Sequence, residues 1–312
     1  WSSDVCSSDL IRFLFMPLTA DEGGFMAVAR WWRHGGHLYQ DVFVDRPQGM
    51  ILLFRILDTV GLDSVWGIRL LGVVMCLVGT AAGGVITARL VGHEFAWLGA
   101  LLVGVFSSSP KYQGYASNGE LLSCSLGALS LALVLSAVWR EPRPRVWLLA
   151  LGGLCGTAAL SVKQTAFDGL LVGAAVLLVL VLRRHWTVRE RWIALAVFVG
   201  GASVPVLAMV IHAAATGWGD WWFAVVAYRT KTRSATASLE WHNLRTGIRI
   251  VAPVVLLAAP ILAGLAIWNA RRRQWSVLAV LTGWVLLAGA GFLAGGQFYL
   301  HYWVIQIGRA HV

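Results

Sequence analysis

Charge is what this 312-residue chain has little of: 13% of its residues are Asp, Glu, Lys or Arg, against roughly a quarter in soluble domains. Hydrophobic residues make up 58% and the mean hydropathy is +0.71, which together exclude an ordinary soluble fold. Alternating segments of about ten residues are absent, and with them the signature of a transmembrane β-barrel. Cysteine is scarce. Cys76, Cys124 and Cys155 lie in apolar runs, and Cys6 near the start, so the pattern supports neither a disulfide framework nor a metal cluster. No internal repeat, low-complexity linker or cleavable signal peptide is visible. Abundant instead are apolar runs near the ~20 residues that cross a hydrocarbon core of about 30 Å.

Both ends read as foreign. IGRAHV at 307–312 is what ATC GGA AGA GCA CAC GTC encodes. WSSDVCSSDL at 1–10 reads from a stretch containing the reverse complement of the same oligonucleotide. The expectation is translated sequencing adapter at 1–10 and 307–312, flanking an incomplete natural segment at 11–306. Without those ends the chain has 24 basic and 13 acidic residues, a net charge of +11. The cations sit in short loops, so the excess points to membrane orientation and anionic lipid, not to nucleic acid.

The expected architecture is an all-α, polytopic integral membrane protein. Residues 11–18 read as the tail of a truncated first span. About eight full spans follow, at 65–88, 95–110, 119–139, 146–162, 166–182, 193–215, 248–268 and 275–294. Gly79/Gly83 and Gly152/Gly156 have the small-xxx-small spacing of closely packed helices. Arg89, Arg140, Arg143, Arg145, Arg183, Arg184, Arg189, Arg191 and Arg271 to Arg273 fall in one set of loops, bracketed by tryptophans. The positive-inside bias makes that side cytoplasmic. Outer loops are then expected at 19–64 and 216–247, with short ones at 111–118, 163–165 and 295–306. Ten of the thirteen acids fall on or near this outer side, alongside Arg46, Lys111, Lys163, Arg229, Lys231, Arg233 and Arg245. Acids and bases gathered on one face suit a site that handles an anion and a proton.

The most polar stretch is Thr19 to Gly49. Thr19 and Glu22 have capping-box spacing for a short amphipathic helix that ends at Gly35-Gly36. Residues 50–62 are apolar but too short to span, as in an interfacial or re-entrant helix. His34 and His37 flank the two glycines, a poor geometry for a metal site.

Several short motifs resemble GT-C membrane glycosyltransferases. They are Asp21-Glu22 after the first span, the GxLYxD element with Tyr39 and Asp41, and Arg46-Pro47. Asn118-x-Glu120, Lys163-Gln164 at a tight outer turn and His301-Tyr302 after the last span complete the order. The nearest resemblance is to protein O-mannosyltransferases and lipid A aminoarabinose transferases. It implies transfer of a sugar from a polyprenyl phosphate to a lipid, glycan or protein acceptor at the outer face of the cytoplasmic membrane. Asp21 is implied as general base, with Glu22 and Glu120 as further catalytic acids. Arg46 and Lys163 are implied to hold the lipid phosphate. Tyr39, Asp41, Gln164, His301 and Tyr302 are implied to line the substrate site. No cofactor is required by the resemblance, which leaves a divalent cation open. The chain departs from the pattern at Arg46, where many relatives have Lys, and at Glu120, where many have Asp.

Two other classes compete. A transporter or lipid flippase would place broken helices and ionisable groups at mid-membrane, whereas here those groups cluster at helix ends. A non-catalytic membrane assembly factor is the third. Asp41 and Asp45 also have a reading as solvated loop charges, Glu22 as a cap partner only, and Glu120 as an acid at a helix N-terminus.

Overall fold

A computed structural model describes residues 14–109, 116–183, 186–295 and 298. Among these residues the regular structure is helical, apart from one isolated bridge between Leu38 and Val42. Helix α1 (Ala20–Arg33) starts at the expected capping box: Glu22 N–H donates to Thr19 Oγ1 at 3.3 Å, and Thr19 N–H donates to Glu22 Oε2 at 2.9 Å. Gly35, at φ +99°, turns the chain away afterwards, a conformation that favours glycine. Residues 14–18 form a turn and bend, not the expected tail of a helix. Pro17 cannot continue a helix, and the Thr19 cap resets the chain. The short α2 (Gln48–Thr59) follows Pro47. Arg33 Nη1 and Arg30 Nε donate to Asp58 at 2.9 and 3.3 Å, fastening α1 to α2.

The bundle comprises α3 (Val65–Leu90), α4 (Ala96–Ser107), α5 (Gly119–Val138), α6 (Val146–Val162), α7 (Asp168–Arg183), α8 (Val188–Thr216) and α11 (Trp275–Gly295). The short α9 (Trp218–Trp222) and a π-helical turn at Phe223–Ala227 lead into the 44-residue α10 (Tyr228–Arg271). Every expected span is thus wholly or largely helical. Among the described residues α3, α5, α8 and α11 are long and apolar enough to cross a bilayer, while α6 and the 93–107 helical segment are apolar but shorter. The segment expected to span at 95–110 begins with a three-residue 3-10 turn, His93–Phe95, and continues as the 12-residue α4.

The expected outer segment at 216–247 is helical from Trp218 onward. Its polar composition suggests a loop, yet no glycine or proline occurs between Gly219 and Gly247 to break a helix.

The small-residue spacings are explained by packing. A Cβ on Gly79 would lie 2.8 Å from Ser125 Oγ on α5, and one on Gly83 2.6 Å from Val103 Cγ2 on α4. A Cβ on Gly152 or Gly156 would crowd Val134 Cγ2 (2.9 Å) or Ser130 Oγ (2.8 Å) on α5. One apolar core fills the bundle, from Leu90 and Leu135 to Val176, Phe198 and Trp284. A second joins α1, α2, Leu38, Tyr39, Val162 and Val225.

The two cores correspond to two ends with different chemistry. At one end Glu141 accepts from Arg89 (3.0 Å) and Arg145 (3.1 Å), and Trp186 donates to the Pro142 carbonyl. Trp147, Trp192 and Trp275 are exposed, whereas Trp139 and Trp186 are buried in the core. The other end carries α1, α2 and the acids. Arg69 and Arg89 mark the two ends of α3, about 30 Å apart at 1.5 Å per residue.

Candidate active site

The acid-bearing end is built around two buried ion pairs. The first is Glu22 with Arg69, both almost fully buried, at 2.6 Å. Glu22 Oε1 also accepts from the Ser117 amide at 2.8 Å, and Oε2 accepts from the Thr19 amide and hydroxyl, each at 2.9 Å. Arg69 donates in turn to the Pro17 carbonyl at 2.6 Å, and Ser117 Oγ donates to the Ile68 carbonyl at 2.5 Å. Three chain segments, around residues 19–22, 69 and 117, therefore meet on one carboxylate. Glu22, expected as a catalytic acid, is a clamp whose two oxygens are both occupied by the protein itself.

The clamp has a direct consequence for Glu120. Ser117 precedes the α5 N-cap, where Asn118 Oδ1 accepts from Leu121 N–H at 2.8 Å. Glu120 follows in the first turn, fully buried. It pairs with Lys163 Nζ, also buried, and lies 4.0 Å from Arg46 Nη2. Arg46 is held from its other side by Asp45, 4.0 Å from Nε. Two cations and two acids from three distant segments thus form one cluster. Removing either partner of such a buried pair costs about 3–5 kcal/mol, because the other charge is stranded.

Lys163 comes to this place because α6 stops at Val162 and the chain turns at once, with Ala166 N–H donating to the Lys163 carbonyl at 3.0 Å. Gln164, next along, donates to the Asp45 and Val225 carbonyls, each at 3.2 Å. The turn is thereby joined to the 39–48 segment and to the π-helical turn. Gly49 permits the approach: a Cβ there would meet the Ser161 carbonyl oxygen at 2.6 Å and its Cβ at 2.7 Å.

Tyr39 is buried at a left-handed backbone position, φ +74°, and its hydroxyl donates to the Arg46 carbonyl at 3.0 Å. Burial drives its pKa far above the ordinary phenol value, so it acts as a neutral hydrogen-bond donor. Gln48 accepts from Trp221 Nε1 at 2.8 Å and donates to the Met209 carbonyl at 2.8 Å, tying this segment to α8 and α9.

Asp21 is exposed at the start of α1, next to the clamp. Asp41 is half exposed and accepts from the His37 amide (3.0 Å) and ring (3.3 Å), a local turn contact. The structure thus brings Arg46, Glu120, Lys163, Gln164 and Tyr39 together, with Asp21 at the same end of the bundle, and leaves Asp41 at the surface. His301 and Tyr302 lie outside the described residues. Among the described residues no group of three or more His, Cys, Asp or Glu is arranged to hold a metal ion. Arg69, Ser117, Gln48 and Trp221 were not singled out from the sequence. For Arg69 the signal was there: a cation four residues into an apolar helix needs a partner.

No protein-family model, curated protein or solved structure matches the chain.

Proposed function

We propose that the chain is a multi-pass membrane glycosyltransferase that moves a sugar from a polyprenyl-phosphate donor to an acceptor at the outer face of the cytoplasmic membrane. The observation that carries this reading is the pair of buried cations Lys163 and Arg46, at the end of the bundle where Asp21 lies in the first turn of α1. Two cations fixed in a partly dry site can stabilise the negative charge that develops on a phosphate leaving group. Asp21, exposed at the first turn of α1, is the general base that takes the acceptor proton as the glycosidic bond forms. General-base assistance of this kind contributes about 10²–10⁴ in rate. The eight-span topology, with the arginine-rich end in the cytoplasm, belongs to the same reading.

The experiment is sugar transfer from polyprenyl-phosphate donors by the full-length protein and its Asp21→Asn variant. Loss of about two orders of magnitude or more in rate, with the fold intact, supports the assignment. Transfer at the normal rate removes Asp21 as base, and substrate flux without transfer favours the transporter.

A further inference from the structure

The two buried cations face the protein's own acid. Glu120 Oε1 is the atom paired with Lys163 Nζ and the same atom that faces Arg46 Nη2 at 4.0 Å. It therefore lies between the two cations, where a phosphate oxygen accepting from both would have to lie. Asp45, near Arg46 Nε and partly exposed, is the second acid. Glu120 and Asp45 are thus the acids described beside Arg46 and Lys163. Another anion added to this arrangement would bring a third negative charge into a buried site, which is costly in a low-dielectric setting.

From this geometry we infer that Glu120 is an internal placeholder for a phosphate group: it keeps Arg46 and Lys163 in position while the site is empty and is displaced when the phosphate binds. The inference rests on the reading that these two cations receive a lipid phosphate, and it adds regulation of that site. Glu120 sets the affinity for the anion by competing for the same donors. It is a positioning and competing residue, not a proton-transfer group. The arrangement accounts for two buried cations set around one carboxylate whose shared oxygen faces both. Displacement breaks no covalent bond and moves no proton; the carboxylate exchanges one set of donors for another.

The test measures binding of a short prenyl phosphate, and separately of inorganic phosphate, to the full-length protein and to its Glu120→Gln and Glu120→Asp variants. Thermal unfolding is followed with and without each ligand. The placeholder predicts that Glu120→Gln lowers the melting temperature without ligand yet binds prenyl phosphate about tenfold or more tightly than wild type, equivalent to about 1.4 kcal/mol. Glu120→Asp, with its shorter reach, falls between them and decides the matter if the Gln variant does not fold. A gain for both ligands assigns the competition to the phosphate itself; a gain for prenyl phosphate alone assigns it to the lipid-borne group. Both support the placeholder. Wild type binding prenyl phosphate while neither folded variant binds it more tightly would overturn the placeholder and leave the glycosyltransferase reading standing. Absence of binding to folded wild type and variants alike would remove both.

Discussion

Glu22 and Arg69, 47 positions apart in the chain, form a 2.6 Å ion pair whose members are both almost fully buried. Because Glu22 also accepts from Thr19 and Ser117, the pair fixes α1 against the start of α5. Arg69→Met or Glu22→Gln alone is expected to destabilise the protein by about 3–5 kcal/mol. Combining both is expected to recover part of that loss, since neither charge is then stranded. Unfolding of the single and double variants in detergent checks this; strictly additive losses would show that the pair does not act as a unit.

Gly49 is expected to admit no side chain. Gly49→Ala would push α2 away from Ser161, with a cost of about 1–3 kcal/mol for an overpacked contact. It should also weaken prenyl phosphate binding, because Arg46 and Lys163 approach across this contact. Binding by the variant at wild-type strength would separate the two effects.

Acid sensitivity should report on Asp58. Desolvation pushes its carboxyl upward, but hydrogen bonds from Arg33 and Arg30 outweigh it, and its pKa lies below the ordinary carboxylate value. Since the folded pKa is the lower one, the stabilisation is complete above the unfolded value, about 3.9. It is lost as pH falls through the folded value. Melting temperatures measured from pH 6 down to 3 should decline less steeply for Asp58→Asn than for wild type. Equal slopes would show that the Arg30 and Arg33 contacts contribute nothing at this pH.

Sidedness can be read by chemical labelling. Single cysteines introduced at Asp41 and Arg143, both exposed and at opposite ends of the bundle, should react differently with an impermeant maleimide in intact cells. Position 41 is expected to label and position 143 only after permeabilisation. The reverse pattern would invert the topology.

What the sequence disclosed follows from the range of the forces involved. The Thr19–Glu22 capping box, the abrupt turn after Val162 and the close contacts at Gly79 and Gly152 are written in local spacing, and all are present. The pairing of Lys163 with Glu120 spans 43 positions and has no local trace, although both residues stood out as ionisable groups at helix ends. Arg69 escaped notice because orientation rules count cations in loops, whereas its burial depends on a carboxylate two helices earlier. The 218–247 stretch is polar in composition, yet helix propensity without a breaker sustains α10 through it. The capping contact of Glu22 with Thr19 is local, whereas its pairing with Arg69 and Ser117 depends on residues far along the chain.

The central claim is that Lys163 and its cluster serve a phosphate-linked sugar. The most direct measurement is transfer of radiolabelled sugar from a polyprenyl-phosphate donor by the full-length protein in liposomes, alongside Lys163→Met. The account predicts transfer by wild type and a loss of about a hundredfold or more in the variant, with the helical fold retained. Transfer by folded Lys163→Met at the wild-type rate, or none by wild type from any polyprenyl-phosphate donor, would contradict it.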